Sequence, residues 1–156
     1  MKRLIFLLIA STMIVSCQNW NLQNKDNSTT LPITINFGEI ELTGSKIIYA
    51  KDNVTIKMKE VFPDEQDSDG IWIFSKMVID LSKLTHVKKI TILGHEDCDA
   101  NSTKLLVYKR NGLLMHSDSN KEGADDYKFE INAGKNSIKY LKISSCEGMI
   151  KKLIIE

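Results

Sequence analysis

From Leu31 onward, apolar and polar residues alternate. Ile33, Ile35 and Phe37 are separated by Thr34 and Asn36. Val54, Ile56 and Met58 are separated by Thr55 and Lys57, and Tyr127, Phe129 and Ile131 by Lys128 and Glu130. A repeat of two is the signature of a strand with one buried face. Further apolar runs at 46–50, 71–80, 88–94, 105–109, 113–117, 138–144 and 149–155 raise the expectation to about ten short strands. Isoleucine dominates them, and β-branched side chains suit a pleated surface. Breaks fall at Gly44, 63–70, 94–103, 120–125, 133–136 and Gly148. Asn111-Gly112 between two apolar runs predicts a type I′ hairpin, because both central residues need positive φ there. Residues 81–87 have room for a single helical turn, and no longer segment has helical period. The pattern predicts an all-β fold, an antiparallel β-sandwich of the jelly-roll kind.

The first residues follow a different rule. Lys2-Arg3 precede an apolar run from Leu4 to Ala10, then Ile14-Val15-Ser16-Cys17. A basic start, a short apolar stretch and small residues make a secretory signal peptide. The stretch is too short for a bilayer span, which takes roughly 20 apolar residues. Ile14-Val15-Ser16-Cys17 resembles the lipobox of bacterial lipoproteins. That resemblance implies cleavage before Cys17 by type II signal peptidase, with diacylglycerol on the Cys17 sulfur and acylation (palmitate) of its new amino group. Several acyl chains, each CH₂ contributing about 0.8 kcal/mol, hold where one chain would not. Gln18, not Asp, follows the cysteine, which in the resembled family favours the outer membrane; the periplasmic and surface faces both stay open. Asn19 to Thr30 is polar, with only Trp20 and Leu22 apolar, and reads as a flexible tether. The organisation expected is a signal peptide at 1–16, lipidated cysteine and linker at 17–31, and a sandwich domain at 32–156.

Cleavage before Cys17 leaves 140 residues, one ordinary domain. It also removes Lys2 and Arg3, taking the formal charge from +1 to −1. A near-neutral chain gives no electrostatic case for nucleic acid. Lys88-Lys89, Lys109-Arg110 and Lys151-Lys152 are isolated pairs that flank strands. With Cys17 in lipid, Cys98 and Cys146 remain, and in an oxidising compartment a disulfide is their simplest use.

The order of the second half is informative: a strand over 87–93, a loop with Asp97 and Cys98, the Asn111-Gly112 hairpin, two strands, then Cys146-Glu147-Gly148 and a closing strand. This order is similar to the galactose-binding-like jelly roll. Members of that fold bind sugars, lipids, nucleic acid or proteins, so the fold leaves the ligand open.

Candidate chemistry is sparse. Asp97, Asp99 and Asn101 follow a D-x-D-x-N spacing that offers oxygen ligands to a structural Ca²⁺. Ser102 and Tyr108 stand where an EF-hand has its Gly and its bidentate Glu, so the plainer reading is a solvated loop. Asp64, Glu65, Asp67 and Asp69 form a second acidic loop, read as a charged turn. His86, His95 and His116 are scattered, and the chain carries no zinc-protease, nucleophile-elbow or phosphate-loop motif. Tyr108 and Tyr127, flanking the hairpin, are the candidate residues for stacking on a ligand; Trp72 and Phe74 read as core. The resulting expectation is a lipid-anchored, non-catalytic binding module of the envelope without a cofactor. Two narrower versions are a carbohydrate-binding lipoprotein of a glycan uptake or attachment system, and a lipoprotein that neutralises a toxin or enzyme.

Overall fold

The computed structural model describes residues 30–41, 46–59, 68–97, 103–120, 126–134 and 137–156. The leader, Cys17 and the tether through residue 29 lie outside these residues. Eleven strands are present among the described residues, with one 3-10 turn, Phe37–Glu39. One sheet has the order β1 (Ile33–Asn36), β11 (Gly148–Ile155), β6 (Lys89–Glu96), β9 (Asp126–Asn132), and β4 (Ile71–Ile73) also pairs with β11. The other runs β2 (Lys46–Lys51), β3 (Val54–Lys59), β5 (Lys76–Asp80), β10 (Ile138–Ser144), β7 (Lys104–Lys109), β8 (Leu114–Ser119). Every pairing is antiparallel. The architecture is the jelly-roll β-sandwich that the alternation predicts.

The alternation decides which face of each strand is buried. Ile56, Ile79, Leu141 and Val107 stand opposite one another across β3, β5, β10 and β7. All four are buried with 0 % exposure. Ile90, Ile92, Phe129, Ile131, Leu153 and Ile155 face them from the second sheet, within the same buried cluster. Truncating one such isoleucine to alanine costs about 2–5 kcal/mol in lost burial and cavity. The outward residues of the same strands, such as Lys57, Val78 and Lys142, are half-buried or exposed.

Three local features differ from the sequence reading. Residues 71–80 form two strands in different sheets. Ile71 and Ile73 are buried in β4, Met77 and Ile79 in β5, and the chain crosses between sheets at Phe74-Ser75. An unbroken repeat of two cannot reveal such a crossing, because the inward side stays inward on both sheets. The type I′ geometry also lies elsewhere: Asp52 and Asn53 take φ of 51° and 62° between Lys51 and Val54, which are paired. Asp and Asn are the non-glycine residues best suited to that region. At Asn111-Gly112 only Gly112 has positive φ, at 82°. Lys109 N–H bonds Leu113 O and Gly112 N–H bonds Lys109 O, so the loop has three residues with glycine at its left-handed position. Beyond it, β7 and β8 slip by one residue between Val107 and Tyr108, a bulge near the edge of the sheet. β8 itself is mostly exposed.

Gly94, expected to open a loop, lies inside β6, which continues to Glu96. It is needed for close approach. A Cβ there would overlap the Tyr127 ring and the Met149 carbonyl oxygen. These two groups are hydrogen-bonded to each other, so neither can yield alone. Gly94→Ala is expected to destabilise the domain by about 1–3 kcal/mol, as overpacking of a filled core does. Denaturant unfolding of the variant beside the parent checks this, and equal midpoints would refute it.

Candidate functional site

The outward face of the six-stranded sheet carries the principal site. Strand register sets it out in rows. Thr55 on β3, Asp80 on β5, Tyr140 on β10, Tyr108 on β7 and Leu114 on β8 stand side by side. The next row holds Lys57, Val78, Lys142, Leu106 and Ser117. Tyr108 and Tyr140 stack with ring centroids 4.6 Å apart and planes 24° from parallel. Lys142 Nζ lies over both rings, 5.1 Å and 5.6 Å from their centroids. Both tyrosines are half-buried, and Leu114 beside them is 53 % exposed. Asp80 borders the pair. Burial pushes its carboxyl up, but hydrogen bonds from Ser82 and the charges of Lys57 and Lys139 outweigh this and hold it below the usual carboxylate range. The Ser82 backbone N–H donates to Asp80 Oδ1 at 2.8 Å. The face therefore offers an aromatic surface, an apolar rim, ammonium donors and a fixed carboxylate acceptor.

Of the two stacking candidates, Tyr108 is in this face and Tyr127 is not. Tyr127 is 6 % exposed and points inward from β9. Its hydroxyl donates to Met149 O at 3.0 Å and its ring tilts against Phe129. Burial, then the charge of Glu96, push its phenol far above the normal range. Its alternation with Phe129 and Ile131 already puts it on the inward side. Tyr140 takes its place beside Tyr108. Its alternation with Leu141 turns it outward, and the pairing with Tyr108 is a cross-strand relation that no local spacing carries. Trp72 and Phe74 are not core either. Trp72 alternates with inward Ile71 and Ile73, is half-buried, and meets His95 edge-on with centroids 6.4 Å apart. Phe74 is 38 % exposed at the crossing between the sheets.

The expected calcium loop is described only in part. Asp97 is exposed and its Oδ1 lies 2.9 Å from His95 Nε2; Asp99 and Asn101 lie outside the described residues. His95 Nδ1 lies 3.1 Å from Asp126 Oδ1, and Lys151 Nζ reaches the same oxygen at 3.0 Å. Lys151 first, then His95, hold the Asp126 carboxyl below its usual range. Of the second acidic loop, Asp69 is described, and it is exposed. Cys146 is exposed in the turn between β10 and β11, and Cys98 lies outside the described residues.

A buried polar cluster closes one end of the sandwich. Glu96 is 3 % exposed and accepts a hydrogen bond from Thr103 Oγ1, with Ser145 Oγ 3.4 Å away. Thr103 and Asn120 bond each other twice, backbone to side chain and backbone to backbone. Glu96 ends β6, and Thr103, Asn120 and Ser145 adjoin the ends of β7, β8 and β10, so the cluster ties the two sheets together there. A buried carboxylate held in this way is enclosed and pins structure.

The class defined by this geometry is an antiparallel β-sandwich with an aromatic and cationic outer sheet face. No family model and no curated protein matches the chain. Among solved structures it is similar to a low-affinity xylan binding module, CBM86, from the gut symbiont Roseburia intestinalis, at 11% identity and a TM-score of 0.42, covering 81% of this chain and 96% of that one. A family 29 carbohydrate binding module aligns at 9% identity and a TM-score of 0.42 over 80% of this chain and 87% of that one. A Streptococcus pneumoniae fucose binding module aligns at 14% identity and a TM-score of 0.39 over 74% and 97%. All three lie below a TM-score of 0.5, so what this chain binds has to be read from its own side chains.

Tyr127→Phe keeps the ring but removes the buried hydroxyl that donates to the Met149 carbonyl. It is expected to cost about 1–3 kcal/mol. Alkaline difference absorbance should show Tyr127 failing to ionise, so that parent and variant give the same number of ionising phenols in the folded state. A phenol lost from the count in the variant would contradict the burial.

Proposed function

We propose that this chain is a non-catalytic, lipid-anchored carbohydrate-binding module of the cell envelope. The observation that carries the reading is the stacked Tyr108–Tyr140 pair on an outer sheet face, bordered by Asp80 and Lys142. A hexose presents an apolar face of C–H groups and a rim of hydroxyls. Aromatic rings suit the first, and a fixed carboxylate and an ammonium suit the second. Leu114 extends the apolar surface toward the sheet edge. The site reads as a surface for holding a chain, since its polar groups border the rings and are spread over neighbouring strands of one sheet.

The anchor and the disulfide belong to the same reading. The lipobox-like Ile14-Val15-Ser16-Cys17 supports lipid attachment at Cys17, in the outer membrane, with the polar stretch after it as tether. For Cys98 and Cys146 the support is the ladder beside them. Glu96 pairs with Gly148, and one step further Asp97 N–H bonds Glu147 O at 3.3 Å. Each cysteine is the next residue along its chain. A disulfide between them would close a loop of nearly fifty residues and contribute about 4 kcal/mol in the chain-entropy account.

Tyr140→Ala and Tyr108→Ala are each expected to weaken binding on a glycan array about tenfold, the loss of one stacking contact of roughly 1–1.5 kcal/mol, with folding retained by circular dichroism. Retained binding in both would refute the site. Cys17→Ser should abolish palmitate labelling, and labelling retained in the variant would refute the attachment. Mass spectrometry of the exported protein under non-reducing conditions should find Cys98 and Cys146 protected from alkylation; two alkylated thiols would refute the pairing.

A further inference from the structure

We infer that the outer face of the six-stranded sheet selects an anionic polysaccharide, a sugar chain bearing carboxylate or sulfate groups. This rests on the carbohydrate reading and narrows it to a substrate class. The lysines that matter are not the adjacent pairs visible along the chain. They are Lys57, Lys76, Lys104 and Lys142, one each from β3, β5, β7 and β10, all at outward register positions of one sheet. Lys57, Lys76 and Lys104 are exposed and Lys142 is half-buried. Among the described residues at the outward positions of these four strands, Asp80 is the one carboxylate. Four ammonium groups against one carboxylate make this face strongly positive on a chain whose formal charge is close to zero. Such a field attracts anions and speeds their arrival.

The spacing distinguishes among anions. Lys57 and Lys142 share a row and are two strands apart, with Val78 between them. Lys76 and Lys104 share the next row with Ser144 between them. Two strand spacings are about 10 Å. Double-stranded DNA carries a charge about every 1.7 Å of its axis, far denser than this array. A polysaccharide with one charge per ring or per second ring is sparse in the same way. The tyrosine pair lies in the row adjoining Lys57 and Lys142, about 7 Å along the strands. A chain crossing the face can therefore set a ring beside Tyr108 and Tyr140 while its acidic groups meet the lysines. Lys142 belongs to both parts: it stands in the lysine row and its ammonium lies over the rings. An anionic ring seated there would meet that ammonium directly.

The test uses the processed chain in affinity electrophoresis through gels containing polygalacturonate, alginate or chondroitin sulfate, with neutral xylan and galactomannan in parallel gels. Retardation by at least one acidic polymer and weaker retardation by the neutral ones is expected. Affinity for that polymer should fall about tenfold or more between low and roughly 0.3 M salt, as screening of exposed charges requires. The double variant Lys57→Gln/Lys142→Gln should lose binding about tenfold while melting as the parent does. Lys128→Gln, on the opposite sheet, should change little. Binding to neutral polymers alone, or an unaffected double variant, would overturn the anionic preference and leave the carbohydrate reading standing. Retardation by none of the five polymers would overturn the anionic preference. Tighter binding to single-stranded DNA or to phosphatidylglycerol vesicles than to every polysaccharide would overturn both.

Discussion

Two stacked sheets cohere only if the inward positions of their strands are apolar together. In this chain that demand is met almost entirely by Ile, Leu, Met, Val and Phe at every second residue, as in the fully enclosed row Ile56, Ile79, Leu141, Val107. The same constraint releases the residues between them. Whatever stands at an outward position is brought beside other outward positions by strand order alone. Tyr108 and Tyr140 lie more than thirty residues apart in sequence yet stack, because β7 and β10 are neighbours. The core thus organises the surface without touching it.

That separation explains what was legible in the sequence. Period-two alternation is a local signal, so the strands around Val54, Tyr127 and Ile138 and the fold class can be read directly. Which outward residues meet depends on long-range pairing, and no spacing reports it. A place beside a hairpin suggests exposure for Tyr127, but its own alternation with Phe129 points it inward. Lysine pairs stand out along the chain, whereas the gathered lysines come from four separate strands. The crossing at Phe74-Ser75 is hidden because Ile71, Ile73, Met77 and Ile79 keep one unbroken rhythm across it.

The exceptions to apolar burial are concentrated at one end. Glu96, Thr103, Asn120 and Ser145 are buried polar residues bonded among themselves. Apolar packing tolerates many sliding arrangements, while a hydrogen-bonded set tolerates few. Gly148 stands against this set, where a Cβ would overlap Ser145 and Thr103. The cluster fixes how the ends of β6, β7, β8 and β10 meet. It therefore holds in register the two strands, β7 and β10, that carry the tyrosine pair.

The outer strand β8 has a consequence of another kind. It ends the six-stranded sheet, and it reads Leu-Met-His-Ser-Asp-Ser with a bulge where it leaves Tyr108. A flat, apolar terminal strand is a template onto which another copy can add its own, and crowding makes such addition self-propagating. Polar residues and a kinked backbone at that border deny the template its regularity. The sheet can thus keep its outer face for other molecules without offering this edge to copies of itself.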